Sequence, residues 1–105
     1  MDRVEVDLYA HESNFAVLRV PPRRFPGVLI QGDSLSTLCA TIAELRSAIE
    51  AGDIDGALEW VDDLAGELGG RLDGYVAVLD EAGIPLPFSR PGPADGSSAV
   101  RSSDR

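Results

Sequence analysis

The residues whose types allow chemistry are few. His11 lies near Asp7 and Glu12, and one imidazole beside one or two carboxylates has the makings of a general base or a metal ligand. It is the only histidine and Cys39 the only cysteine, so a multi-residue metal site, an internal disulfide and a Cys–His nucleophile pair have nothing further to draw on. Cys39 falls at the rim of an apolar helical stripe and is expected to behave as a small buried hydrophobe. Paired carboxylates occur at Asp62-Asp63, Glu59 with Asp63, and Asp80-Glu81. Acid–base work needs their environments to split the two pKa values, and a solvated helix face does not do that. No GxGxxG or GxxxxGK[ST] phosphate loop occurs. The residues thus point to no catalytic site, no metal site and no cofactor.

Binding chemistry is better represented. Pro22-Arg23-Arg24-Phe25-Pro26 joins two adjacent cations to an aromatic ring between prolines that stiffen the loop, so Arg23, Arg24 and Phe25 form one candidate contact for an anion or a partner. Glu59, Trp60, Asp63, Glu67 and Arg71 form the other candidate, a partner-binding patch of the Trp and Arg anchors favoured at interfaces among carboxylates.

The elements that must carry these residues read as α+β: an N-terminal three-stranded antiparallel meander covered by a C-terminal antiparallel helical hairpin. Val4, Val6 and Leu8 alternate with Glu5, Asp7 and Tyr9, the period of a half-buried strand, and His11 to Asn14 reads as a polar turn. Phe15–Val20 is a second strand stopped by Pro21-Pro22, and Val28-Leu29-Ile30 a third. Asp33-Ser34 offers cap oxygens to a helix with apolar residues at Leu35, Leu38, Ile42, Leu45 and Ile49. Gly52 suits a left-handed helix end, and Asp53 can cap a second helix with Ile54, Leu58, Val61, Ala65, Leu68, Leu72, Tyr75 and Leu79 on one face. That hairpin is expected to lie on the sheet. Gly66, Gly70 and Gly74 fall opposite the stripe, which predicts an exposed, loosely propagated helix with a kink near Gly69-Gly70. Ile84-Pro85-Leu86-Pro87-Phe88 is expected to be extended and to dock on the core. The reading is one domain over residues 1–88 and a disordered Pro/Gly/Ser tail over 89–105.

Charge placement is the sharpest feature. The 105 residues carry nine arginines, no lysine and 18 acids, net −9. Residues 43–88 hold eleven acids and two arginines, so the whole excess falls on the helical hairpin. General nucleic-acid binding and anionic membrane surfaces are disfavoured, and a single-sign face can steer a basic partner protein. The first residues, MDRVEVDLYAHE, lack an apolar leader, and the expected location is cytoplasmic.

The run NFAVLRVPPRRFPGVLIQGDSLSTLCATIAE, with its RRFPGVLIQGDSL core, the helical hairpin and the GIPLPF ending, resembles a family of small, uncharacterised actinobacterial proteins, a domain of unknown function, over about residues 3–88. More distantly, residues 14–44 resemble the PGcxxxGdtxeeA stretch of HicB-type antitoxins, after which a second helix replaces that domain's returning strand and no DNA-binding region follows. The HicB likeness implies a meander delivering a helix at Gly32-Asp33-Ser34 and carries over no catalytic residue. The resulting expectation is a non-enzymatic interaction module, an acidic inhibitor, immunity or antitoxin-like partner of a basic protein, its oligomeric state open and a homodimer included. The alternative is a small-anion-binding or regulatory domain, with the Arg23-Arg24 loop facing the Gly32-Asp33-Ser34 helix start.

Overall fold

The computed structural model describes residues 1–12 and 15–89. The tail predicted over 89–105 therefore lies, beyond Ser89, outside the described residues. Three strands, β1 (Asp7–Glu12), β2 (Phe15–Arg19) and β3 (Gly27–Leu29), form an antiparallel sheet in the order β1-β2-β3. Two helices follow, α1 (Gly32–Glu50) and α2 (Ile54–Ala82), giving the α+β class expected from the pattern.

β1 departs from its sequence reading. It starts at Asp7 and runs through His11 and Glu12, where a turn was expected. A register shift between Leu8 and Ala10 breaks the alternation, and beyond it Tyr9 and Ala10 pack on the core while Val4, Val6 and Leu8 stay exposed. A bulge inserts one residue and exchanges the faces of everything before it, which a period-2 pattern cannot register. Asp7 and Arg19, paired across β1 and β2, form an ion pair that ties the sheet's end.

The helix ends follow local chemistry with one correction. Asp53 caps α2, its Oδ1 accepting the Gly56 N–H at 3.0 Å, and Gly52 and Gly83 take φ of +72°. At α1 the cap is Gln31, which makes no side-chain cap bond. Asp33 sits two residues inside, in the first turn, where its Oδ1 accepts the Ser34 N–H at 2.8 Å and its charge complements the helix dipole.

Packing is concentrated at one end of α2. Val17, Tyr75 and Leu79 form the buried cluster, with Tyr9, Phe15, Val28, Val78, Ile84 and Leu86 against it. The predicted docking of the Ile84–Phe88 segment is present: Phe88 stacks on Tyr75 with ring centroids 6.4 Å apart. α2 is one unbroken 29-residue helix, so the kink expected at Gly69-Gly70 does not divide it. Its glycines differ. A Cβ at Gly66, Gly69 or Gly70 meets nothing within 4 Å, as an exposed stripe requires, whereas one at Gly74 would stand 2.9 Å from the Phe15 ring. Gly74 is therefore a close-approach residue, contrary to its assignment to the exposed stripe. Gly66→Ala and Gly70→Ala are each expected to raise stability by about 1 kcal/mol through helix propensity. Gly74→Ala should instead lower it, because Phe15 must leave its place on the core. Urea unfolding of the three variants checks the opposite signs.

Candidate functional site

The hairpin is built so that only α2 reaches the sheet. Among the described residues α1 packs on α2 and on no strand. Length explains this: 29 residues of helix span about 44 Å, while three strands about 4.8 Å apart cover roughly a third of that. α1 occupies the first two-thirds of α2 and the sheet the remainder.

The positions turned inward on α1 are Ser34, Leu38, Thr41, Leu45 and Ala48, and on α2 Ala57, Trp60, Leu64, Arg71, Tyr75 and Val78, all buried or half-buried. The apolar stripes read from the sequence are rotated from these lines by about 60° on α1, where Leu38 and Leu45 belong to both, and by about 80–90° on α2, at 100° per residue. In both helices the rotation has the sense of one residue toward the C-terminus. Because the helices run antiparallel, the two rotations bring the stripes to the same side of the hairpin. The sheet covers the far end of that side, at Tyr75 and Leu79, and nothing among the described residues covers the rest. Leu35, Ile42 and Ile49 on α1, and Ile54, Leu58, Val61, Leu68 and Leu72 on α2, remain 42–63 % exposed. The expectation that these residues are buried against the sheet is thus corrected. Cys39, expected to be buried, is exposed on the edge of the same side, one turn from Leu35 and Ile42.

The opposite side is polar and acidic. All eleven carboxylate residues between 43 and 88 are exposed. Both arginines of this half are held by glutamates of their own helix: Arg46 Nε donates to Glu50 at 3.2 Å and Arg71 Nε to Glu67 at 2.8 Å. The predicted patch is consequently divided. Glu59, Asp63 and Glu67 are exposed, and Asp63 and Glu67 line a cavity of about 300 Å³ with Ser34, Thr37 and Thr41. Trp60 is half-buried on the line facing α1, and the Arg71 side chain is only 12 % exposed, beside Phe15, Gly70 and Gly74 in a groove of about 660 Å³.

The arginine loop is held from three directions. Arg19 Nη1 donates to the Arg23 carbonyl (2.9 Å), the Arg23 N–H to the Val20 carbonyl (2.9 Å) and the buried Tyr75 hydroxyl to the Pro26 carbonyl (2.7 Å). The Arg19 guanidinium is held protonated even more firmly than usual, chiefly by its hydrogen bond to Asp7. Arg24 lies 5.0 Å above the Phe25 ring, a cation–π contact within the loop itself. Arg23 and Phe25 line a cavity of about 370 Å³ with Pro26 and Val28. The α1 start does not join it: Ser34 lines the acidic cavity instead, and the Asp33 carboxylate already takes the Ser34 N–H that an anion would need. Ser34 and Arg23 thus line different cavities. His11 is an exposed strand residue, and among the described residues no group of three or more His, Cys, Asp or Glu side chains is placed to hold a metal ion. No described helix is long and apolar enough to cross a membrane.

The sequence reading missed the uncovered apolar side. The signal was present in the mismatch between eight turns of helix in α2 and a sheet whose shortest strand has three residues. The model of the family of unknown function DUF6959 matches residues 1–88. No curated protein and no solved structure matches the chain significantly.

Proposed function

We propose that this chain, which belongs to the DUF6959 family, is a non-enzymatic protein-interaction module, an acidic inhibitor, immunity or antitoxin-like partner of a basic protein. The observation that carries the reading is the helical half: eleven exposed carboxylate residues, with both arginines drawn to glutamates of their own helices. Such a surface raises the local concentration of a cationic protein and orients its approach. Glu59, Asp63 and Glu67 are the contact residues, and Trp60 and Arg71 hold the helix that presents them. The antitoxin-like form of the proposal draws on the likeness of residues 14–44 to HicB-type antitoxins.

Retention of a basic partner by the immobilised full chain tests this. Binding is expected at about 50 mM salt and should fall away at about 500 mM, where the Debye length shortens to a few ångströms. The double variant Glu59→Arg/Asp63→Arg should weaken it about tenfold or more. Retention that ignores both salt and charge reversal, or no basic protein retained at low salt, overturns the proposal.

A further inference from the structure

We infer that the uncovered apolar side of the hairpin binds a second copy of this chain, forming a two-fold symmetric four-helix bundle. Three observations carry this. The first is spacing: residues 54, 58, 61, 65, 68 and 72 on α2 and 35, 38, 42, 45 and 49 on α1, of which Leu38 and Leu45 also face α2, alternate by three and four without interruption, a seam that helical pairs bury against one another and that on α2 runs on through Tyr75 and Leu79 to the sheet. A seam of that regularity fits another helical pair, and a two-fold axis lets one patch serve both copies.

The second is area. Eight large apolar side chains, each about half exposed, present on the order of 750 Å² per protomer, close to the ~800 Å² each partner contributes to a standard stable interface. Patches of this size are rare on monomers.

The third is charge. The chain's acids keep off the centre of this side, Asp62 standing at the α2 edge as Cys39 does on α1. The six α2 stripe positions are all apolar, and Arg46 is the charged residue that interrupts the α1 edge. A basic partner would find no carboxylates at the centre of this face, whereas a second copy brings an equally apolar centre and keeps its carboxylates at the rim and beyond. The dimer leaves Glu59, Asp63 and Glu67 on the opposite side, so it is compatible with the basic partner and independent of it.

Sedimentation equilibrium of the full chain, from low to about 100 μM, is the test. The expected mass is twice that of the chain at the upper end. Self-association should strengthen with added salt, because each copy carries net −9 and screening relieves the repulsion. That is the reverse of the salt response expected for a basic partner. Leu58→Glu/Leu68→Glu should give a monomer. Leu58→Ala/Leu68→Ala, which raises helix propensity and so protects the fold, should weaken association by roughly a hundredfold. Glu59→Arg/Asp63→Arg should leave the dimer in place while weakening the basic partner's binding about tenfold or more, so either idea can fail without the other. A chain that stays monomeric throughout, or a dimer that persists in both Leu58/Leu68 variants with helicity retained, overturns the inference.

Discussion

Leu79→Ala is expected to lower the unfolding free energy by about 3–4 kcal/mol, within the range for deleting a fully buried leucine side chain. Leu79 is fully buried in the cluster with Val17 and Tyr75, which joins the sheet to α2. Two features place it toward the costly end. Among the described residues Val17 and Leu79 are the large side chains with no exposure, so the void would open where the cluster is most tightly enclosed. The sheet also lacks a second helix to fall back on, because α1 reaches no strand. Against a total stability of about 5–15 kcal/mol for ordinary domains, such a loss brings a small one near its limit. Urea unfolding followed by far-UV circular dichroism checks the size. Val4→Ala, at a residue 70 % exposed, is the matched control and should change stability by less than about 0.5 kcal/mol. A Leu79→Ala cost no larger than that control would mean that the sheet is not held to α2 through this cluster.

The second large effect belongs to Tyr75→Phe, expected to cost about 1–3 kcal/mol. The Tyr75 hydroxyl donates to the Pro26 carbonyl at 2.7 Å in a buried setting, and the phenylalanine ring would keep the packing but leave that carbonyl without its donor. The same contact predicts an alkaline response. Burial pushes the Tyr75 pKa above the usual 10.0, because the phenolate is penalised there. A group whose folded pKa is raised binds its proton more tightly when folded. Its contribution is complete below the unfolded value near 10 and is lost as pH rises through the higher folded value. The wild-type chain should therefore lose stability as pH climbs above about 10, and Tyr75→Phe should lose that part of the slope. Denaturant midpoints at neutral pH and across the alkaline limb measure both. An alkaline limb that is identical in the two proteins would remove Tyr75 as its source.

The helix boundary at Gly52-Asp53 was legible because a positive φ and a cap oxygen are demands of one or two residues. The docking of Ile84 and Leu86 was legible for a related reason: alternating prolines leave few conformations, and the apolar residues between them need cover. The arginine loop was recognised by composition, but its anchors were not, since Tyr75 and Pro26 are 49 residues apart. Gly74 was misread with its stripe. Spacing at 66, 70 and 74 is uniform, and only Phe15, brought in by β2, makes the third glycine different from the first two.

By itself the sequence determined the α+β class, the order of strands and helices, the concentration of acids on the helical half and the rotational phase of each apolar stripe. All of these follow from local propensity, capping and periodicity, which need no knowledge of neighbours. Tertiary structure alone decided which part of a stripe is covered. Coverage depends on the reach of a three-stranded sheet along a helix of about 44 Å, and on the bulge in β1 that chooses which strand residues face it. The same eight aliphatic side chains that read as core are therefore, in the folded chain, a surface.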